Sequence, residues 1–558
     1  MPRALWQVLY ARGLVSREQV EGHFSPKLKD LTPPTSLTGI DKAVARLISA
    51  FEQGEVLCIY ADFDLDGTPG LALLHRGLTL LGFKDVRHFQ PKRLSDGYGL
   101  HAHVLKDLKD QGVQLVVTVD VGITDVKAVS EANEIGLDVI ITDHHLPKEE
   151  LPAACAIVNP NQSECESGLG HLSGTGVAFY LVLALRSEMH KRGLLREAFD
   201  PKELLDCFAI GTVTDMVPLI KENRSLVKHG LVELSKTKRP GLKVLLQQLD
   251  LWGRSLSSQD VGFKLAPKLN ALSRLEKSLL PIDLFLVDSE MEASRLVGEV
   301  FQTHQERVEL QRHAEKLAEE VAKDQRKSGF IWVWSPEFHQ GIVGLVATKM
   351  AQKFKVPAFI GAGKEDGRIV GSARIPDENS GYHLPEALGA AEEALEKFGG
   401  HKAAAGFELR KEDADLFEDL LRNYFKHQGE DNKPSQFTQT FHYDSECGLD
   451  EITPQFMSWY ENMGPYGMGF EAPVFLLKNL EVTGVRELRG GHLKLSVRDR
   501  KSGARADALW FSPPPHHPAT YKFIQPQDII DILGEPEWNH FAGKATLQVL
   551  VKDLRWSR

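Results

Sequence analysis

Cysteine is scarce in these 558 residues: Cys58, Cys155, Cys165, Cys207 and Cys447 are scattered, odd in number and form no CxxC pair. Zinc ribbons and a disulfide framework are therefore poor readings, and a reducing cytoplasm is expected. No apolar run approaches ~18 residues, which argues against a membrane span. The opening MPRALWQVLYARGL lacks a small-residue cleavage site and has polar breaks at Gln7 and Arg12, so it reads as an amphipathic helix and not a secretory signal. Positive charge is not in excess either, the net charge being −11. That total does not advertise nucleic-acid binding, but it does not exclude it, because binding depends on a local basic stripe. There is no internal repeat and no long low-complexity block.

What is present is the composition of a soluble, folded chain, 42% apolar and 26% charged. At about 150 residues per domain, its length suggests three or four domains. Residues 56–160 alternate short apolar runs (VLCIYA, VRHFQP, QLVVTV, DVIIT, AIVNP) with helix-length segments such as 67–81 and 123–135. This rhythm predicts a doubly wound parallel α/β sheet. Residues 1–55 read as an N-terminal helical cap, with a Pro-rich connector at Thr32–Pro34. The α/β domain extends through a helical region to 280, a long connecting helix is predicted over 281–327, and a second α/β domain over 328–430. The stretch 429–436 reads as a linker. Residues 437–558 carry short strand-like pieces (HLKLSV, ADALWF, DIIDIL, ATLQVLV) that suggest a small β-barrel.

Acidic residues recur at the predicted strand ends. Asp62, Asp64 and Asp66 follow the first strand at spacing i, i+2, i+4, which in an extended chain would turn all three carboxylates to one side. Such a cluster repels itself unless a cation neutralises it. A calcium loop fits poorly, because its twelfth position, normally Glu, is Leu73. Asp120-Val-Gly ends the third strand and Asp143-His144-His145 the fourth. Ligands of open α/β sheets collect at the carboxyl ends of strands, so these groups should share one crevice. Asp215 alone reads as a capping or surface residue. Carboxylates with one or two imidazoles suit Mn²⁺ or Mg²⁺ better than zinc. Two such ions roughly 3.5–4 Å apart would promote phosphate-ester hydrolysis.

The order DFDLDG (62–67), DVG (120–122), DHH (143–145) and GTVTD (211–215) resembles the four motifs of the DHH phosphoesterases. The likeness runs along nearly the whole chain. ARGLVSREQVEGHFSPKLKDL, PKRLSDGYGL, HLSGTGVAF, FHQGIVGLVA, GSAR, FGGHKAAAGF, GPYGMGFEAPVF and the closing PEWNHFAGKATLQVLVKDL are all similar to RecJ-type members of the DHH/DHHA1 family. The resemblance implies a 5′→3′ exonuclease on single-stranded DNA that releases 5′-mononucleotides in recombination and repair, with two Mn²⁺ or Mg²⁺ ions. It implies that Asp64, with Asp62 close by, holds one ion, that Asp66, His144 and Asp215 hold the other, and that Asp120 bridges. It further places His145 and Arg93 on the scissile phosphate and Asp143 behind the histidines. His339, Ser372, Arg374 and the Gly399-Gly400-His401 turn would bind the strand, and the C-terminal region would be an oligonucleotide-binding barrel.

Phe470, Trp510 and Trp538 are expected in the barrel core; base stacking is the sharper alternative. Four positions depart from the family pattern: Phe470 replaces Asn in a GxGN turn, Ile375-Pro376 replaces the residue after Arg374, Phe338 replaces Trp, and His304 replaces Asn. The competing readings are an oligonucleotide or cyclic-dinucleotide phosphodiesterase and a catalytically inactive DNA-binding scaffold. A cytoplasmic monomer is expected, with a single-strand-binding protein or helicase as possible protein partners.

Overall fold

The computed structural model describes residues 1–195, 197, 199–378, 380–431, 441–511, 513, 524–541 and 544–557. In the first domain the apolar runs form strands β1 (Leu57–Ala61), β2 (Val86–Phe89), β3 (Leu115–Val119), β4 (Asp138–Thr142) and β5 (Ala156–Val158). All pair in parallel, in the order β2-β1-β3-β4-β5. The central strands β1 and β3 are buried along their whole length and β4 along most of it, so both faces of the sheet are covered there. Leu57, Ile59 and Ala61 of β1 join one core with the helices Ile40–Gln53, Gly67–Leu80 and Gly174–Lys191. Cys58 and Tyr60 point the other way, into a core with the helices Ala102–Asp110 and Val126–Glu134. This is the doubly wound arrangement expected of continuous apolar strands. The strand order reverses between β1 and β3, and ligand crevices in such sheets open at that point.

Helices Leu205–Thr214, Lys221–Ser235, Pro240–Gln248 and Ala266–Leu275 continue the first domain. A 36-residue helix, Glu290–Gln325, then spans about 54 Å at 1.5 Å per residue. Its first half packs Ala293, Leu296, Val297 and Val300 into the first domain, and its second half packs Ala314, Ala318 and Ala322 into the next. That next domain contains β6 (Ile331–Ser335), β7 (Ala358–Gly363), β8 (Arg368–Arg374), β9 (Lys397–His401) and β10 (Ala404–Arg410) in the order β6-β7-β8-β10-β9. Only β6 and β7 run parallel. The expected linker at 429–436 is helical at its start, since the helix Ala414–Asp431 continues into it; from 432 it falls outside the described residues.

The C-terminal strands are β11 (Ser445–Glu446), β12 (Phe475–Leu488), β13 (His492–Asp499), β14 (Arg505–Trp510), β15 (Ile529–Phe541) and β16 (Lys544–Trp556). β12 pairs with both β13 and β15, which closes the sheet into an oligonucleotide-binding-type barrel. Trp510 is buried in its core and Trp538 packs against it.

The residues expected as one N-terminal cap divide their packing. Ile40–Gln53 covers the parallel sheet, whereas the helix Arg3–Ala11 places Ala4, Leu5, Val8 and Leu9 in the barrel core. Between barrel and first domain lies Arg224, whose guanidinium donates to the carbonyls of Met463 (2.5 Å), Gly464 (2.9 Å) and Pro465 (3.1 Å). Phe470 is not a barrel-core residue as expected. It lies between two guanidinium groups, 4.6 Å from Arg224 and 4.8 Å from Arg12, and stacks on Tyr466. A large π-face there turns two like charges into partners of one ring. The other departures are filled by packing: Phe338 and Ile375 are core residues of the second lobe. His304 approaches the Pro267 carbonyl at 3.1 Å.

Candidate metal centre and phosphate cleft

The strand-end carboxylates do meet, although not through extended chain. β1 ends at Ala61 and the backbone turns at once, with the Thr68 N–H returning to the Asp64 carbonyl. Asp64 Oδ1 accepts the N–H groups of Asp66 and Gly67. The turn leaves Asp62 and Asp64 together and parts Asp66 from them, although the i, i+2, i+4 spacing puts all three on one side. Ligand atoms of Asp62, Asp64 and Asp120 lie within 4.8 Å of one another, and those of Asp66, His144 and Asp215 form a second such group. Asp120, His144 and His145 form a third. The gap between groups is bridged by proximity: His144 Nε2 is 3.2 Å from Asp120 Oδ1, 3.6 Å from Asp215 Oδ2 and 3.9 Å from Asp66 Oδ2.

Each side chain is aimed by its element. Asp120 has φ 63°, a left-handed conformation that costs a non-glycine residue and persists only where its surroundings hold it. Gly174 allows its close approach, since a Cβ there would stand 2.6 Å from Asp120 Oδ1. Asp66 accepts the N–H groups of Gly174 (2.5 Å) and Thr175 (3.0 Å), the positive first turn of the helix Gly174–Lys191. Asp143 Oδ1 accepts from the His144 and His145 N–H groups and lies 2.7 Å from His145 Nδ1; its Oδ2 accepts from Ile123 N–H. Asn161 and Asn159, just beyond β5, donate to the His144 and His145 carbonyls.

The electrostatics are those of carboxylates crowded together and buried. Burial, then repulsion from Asp64, pushes Asp62 up to about 8. Burial, then Asp66 and Asp64, does the same to Asp215. Asp120 and Asp66 are also raised, chiefly by burial, Asp120 further by its carboxylate neighbours. Burial lowers His144. For His145 burial works downward, but the Asp143 carboxylate outweighs it and raises the imidazole to about 9. Asp143, despite burial, is held below the usual range by His145 and the Ile123 N–H. Asp62 Oδ1, Asp120 Oδ1, Asp215 Oδ2 and His144 Nε2 are all buried without a hydrogen-bond partner. Buried polar atoms are normally satisfied, so four orphans converging on one crevice fit a site for divalent cations.

A second feature adjoins the first. Arg93 lies over the Phe63 ring at 5.3 Å. Arg274 is held low by burial and then by the charges of Arg93, Arg307 and Arg374, so these guanidinium groups lie near one another. Arg374 Nη1 donates to Ser372 Oγ at 2.8 Å, and Arg274 donates to the Gly341 carbonyl beside His339. Arginines held together while partly buried make an anion site. Gly399, Gly400 and His401 form the exposed edge strand β9, not a turn. Among the described residues no hydrogen bond or ion pair ties the His401 side chain to the arginine group. Arg274, Arg307, Asn159, Asn161 and Thr175 were not singled out from sequence; the NPN following the fifth strand was the available signal for the asparagines.

Comparison with known proteins agrees with this layout. Residues 56–212 match the DHH family N-terminal domain, 327–427 the DHHA1 domain and 443–553 the RecJ OB domain. The single-stranded-DNA-specific exonuclease RecJ of Salmonella typhimurium is 33% identical, over 99% of this chain and 96% of its own length. That of Bacillus subtilis is 33% identical, over 98% and 67%. The crystal structure of RecJ in complex with Mn²⁺ from Thermus thermophilus aligns with a TM-score of 0.79 at 28% identity, over all of this chain and 76% of that one. A crystal structure of exonuclease RecJ bound to manganese aligns with a TM-score of 0.60 at 34% identity, over 70% and 95%. With its catalytic-domain fold, second lobe and barrel all matched in order, this chain belongs to the RecJ family.

Proposed function

We propose that the protein is a metal-dependent exonuclease specific for single-stranded DNA, acting 5′→3′ and releasing 5′-mononucleotides in recombination and repair. The observation that carries this reading is the convergence of four unpartnered ligand atoms beside a cluster of arginines. Its relatives are named single-stranded-DNA-specific exonucleases, and related structures hold Mn²⁺ or Mg²⁺. Asp62, Asp64 and Asp120 would hold one ion, Asp66, His144 and Asp215 the other, with Asp120 between them. Bound there, Mn²⁺ or Mg²⁺ supplies Lewis acidity and a hydroxide at neutral pH.

The remaining work falls to the chain. His145, kept cationic by Asp143, presents a charged donor to a scissile phosphate. Arg93, Arg274 and Arg374 neutralise phosphates without reading bases, which suits sequence-independent digestion. The net charge of −11 is no obstacle when these cations are concentrated in one cleft. The barrel and the helices packed on it favour a long strand over a dinucleotide. We place the enzyme in the cytoplasm as a monomer, supplied with single strands by a helicase or a single-strand-binding protein; no helix among the described residues is long and apolar enough to cross a membrane. A digestion time course with Mn²⁺ on 5′- and 3′-labelled single strands tests the reading. Immediate release of the 5′ label as mononucleotide is expected; loss of the 3′ label first would overturn the polarity.

A further inference from the structure

Arg93 is carried by an irregular segment between β2 and the helix Ala102–Asp110, and such a segment needs something to hold it. Its start is fixed by Gln90, which donates to the Asp62 carbonyl and to Thr68 Oγ1. Its end is fixed by Tyr98, whose hydroxyl lies 3.3 Å from His145 Nδ1. The middle is held from another element: Glu276 Oε1 accepts the N–H groups of Leu94 at 2.6 Å and Ser95 at 2.9 Å. Glu276 follows the helix Ala266–Leu275 and has φ 48°, ψ 48°, a left-handed conformation that glycine would adopt more cheaply. From that left-handed C-cap the Glu276 side chain reaches the Leu94 and Ser95 amides. Although Arg93, Arg274 and Arg374 are near one another, no ion pair joins Glu276 to an arginine among the described residues. Its carboxylate is engaged by backbone donors, so it does not compete with an incoming anion for the guanidinium groups.

The geometry points to Glu276 as a positioning residue for Arg93, acting through the Leu94 and Ser95 amides. It does not touch substrate. Because Arg274, two residues earlier, donates to the Gly341 carbonyl of the second lobe, one short stretch sets both the Arg93 segment and the contact between lobes. The inference rests on the proposed exonuclease reading for its kinetic arm and on the free protein for its second arm.

The test compares Glu276→Ala and Glu276→Gln, each with and without Arg93→Ala. An amide oxygen can accept the same two N–H groups, so Glu276→Gln is expected within about twofold of wild type, while Glu276→Ala raises KM for single-stranded DNA about tenfold with kcat and Mn²⁺ affinity little changed. In the Arg93→Ala background, Glu276→Ala should add nothing further. Equal damage from Gln and Ala, or an undiminished effect when Arg93 is absent, overturns the assignment. Hydrogen exchange on the DNA-free protein supplies the second arm: the Leu94 and Ser95 amides should exchange faster in Glu276→Ala and not in Glu276→Gln. If wild type fails to cut single strands, the functional reading falls and exchange alone decides; unchanged exchange in Glu276→Ala then sinks the inference.

Discussion

Replacing Asp120 by Asn should make the metal-free protein more stable while removing its activity. Asp120 Oδ1 is buried and lacks a hydrogen-bond partner, and its ligand oxygen lies within 4.8 Å of those of Asp62 and Asp64. Two full charges at that separation repel by about 3.5 kcal/mol at an effective dielectric of ~20. Proton uptake relieves part of this, so the net gain from removing one charge is put at about 2 kcal/mol. For a domain of this size that raises the unfolding midpoint by about 4–8 °C. A divalent cation reverses the order, because at a hundredfold excess over Kd it adds about 2.7 kcal/mol to wild type. The variant, short of one ligand, should gain little. Calorimetric scans in EDTA and in Mn²⁺ provide the comparison. If Asp120→Asn were destabilised equally in both, the carboxylate would be a structural element and the argument from repulsion would be wrong.

Three further outcomes follow from the same structure. Gly211→Ala puts a Cβ 2.1 Å from Thr175 Oγ1 and 2.9 Å from Asp66 Oδ1, so Mn²⁺ affinity should fall and stability drop by about 1–3 kcal/mol; isothermal titration with unchanged affinity would contradict it. Arg224→Met strips the charged donor from three carbonyls, and at about 1.5–3 kcal/mol per charged hydrogen bond the barrel should become readily cleaved from the body by limited proteolysis. His23 is held neutral by burial and then by Arg224, with its pKa lowered to about 3. A lowered folded pKa means that stability is complete above the unfolded value of ~6.5 and is lost as pH falls below it, by about 1 kcal/mol between pH 7.5 and 5.5. The melting midpoint should fall over that interval in wild type and much less in His23→Gln; equal slopes would show that His23 does not contribute.

The parts legible in sequence were those with a local signature. Strand runs such as LVVTV are buried on both faces and reveal themselves by continuous apolarity, and the long charged helix betrays itself by lacking glycine and proline over most of its length. The carboxylates were legible because strand ends of a doubly wound sheet must share a crevice. The turn at Asp62–Asp66 was not, because spacing assumed extended chain whereas Asp64 folds its own backbone back by accepting two N–H groups. Arg274 and Arg374 lie a hundred residues apart and become neighbours only when the lobes pack. The Phe470 departure looked like a packing question within the barrel; its meaning required Arg12 and Arg224, which come from two other parts of the chain.

The helix Arg3–Ala11 has a consequence for how the molecule is made. Its apolar face belongs to a barrel whose strands lie far along the chain; Arg12 meets Asp444 across 432 residues. At roughly 5–20 residues per second that interval is on the order of 20–90 seconds. Nine residues are too few to hold a helix alone in water, so the segment waits as an unpaired, sticky strip of chain. The barrel strands must be made before this apolar face has anything to pack on.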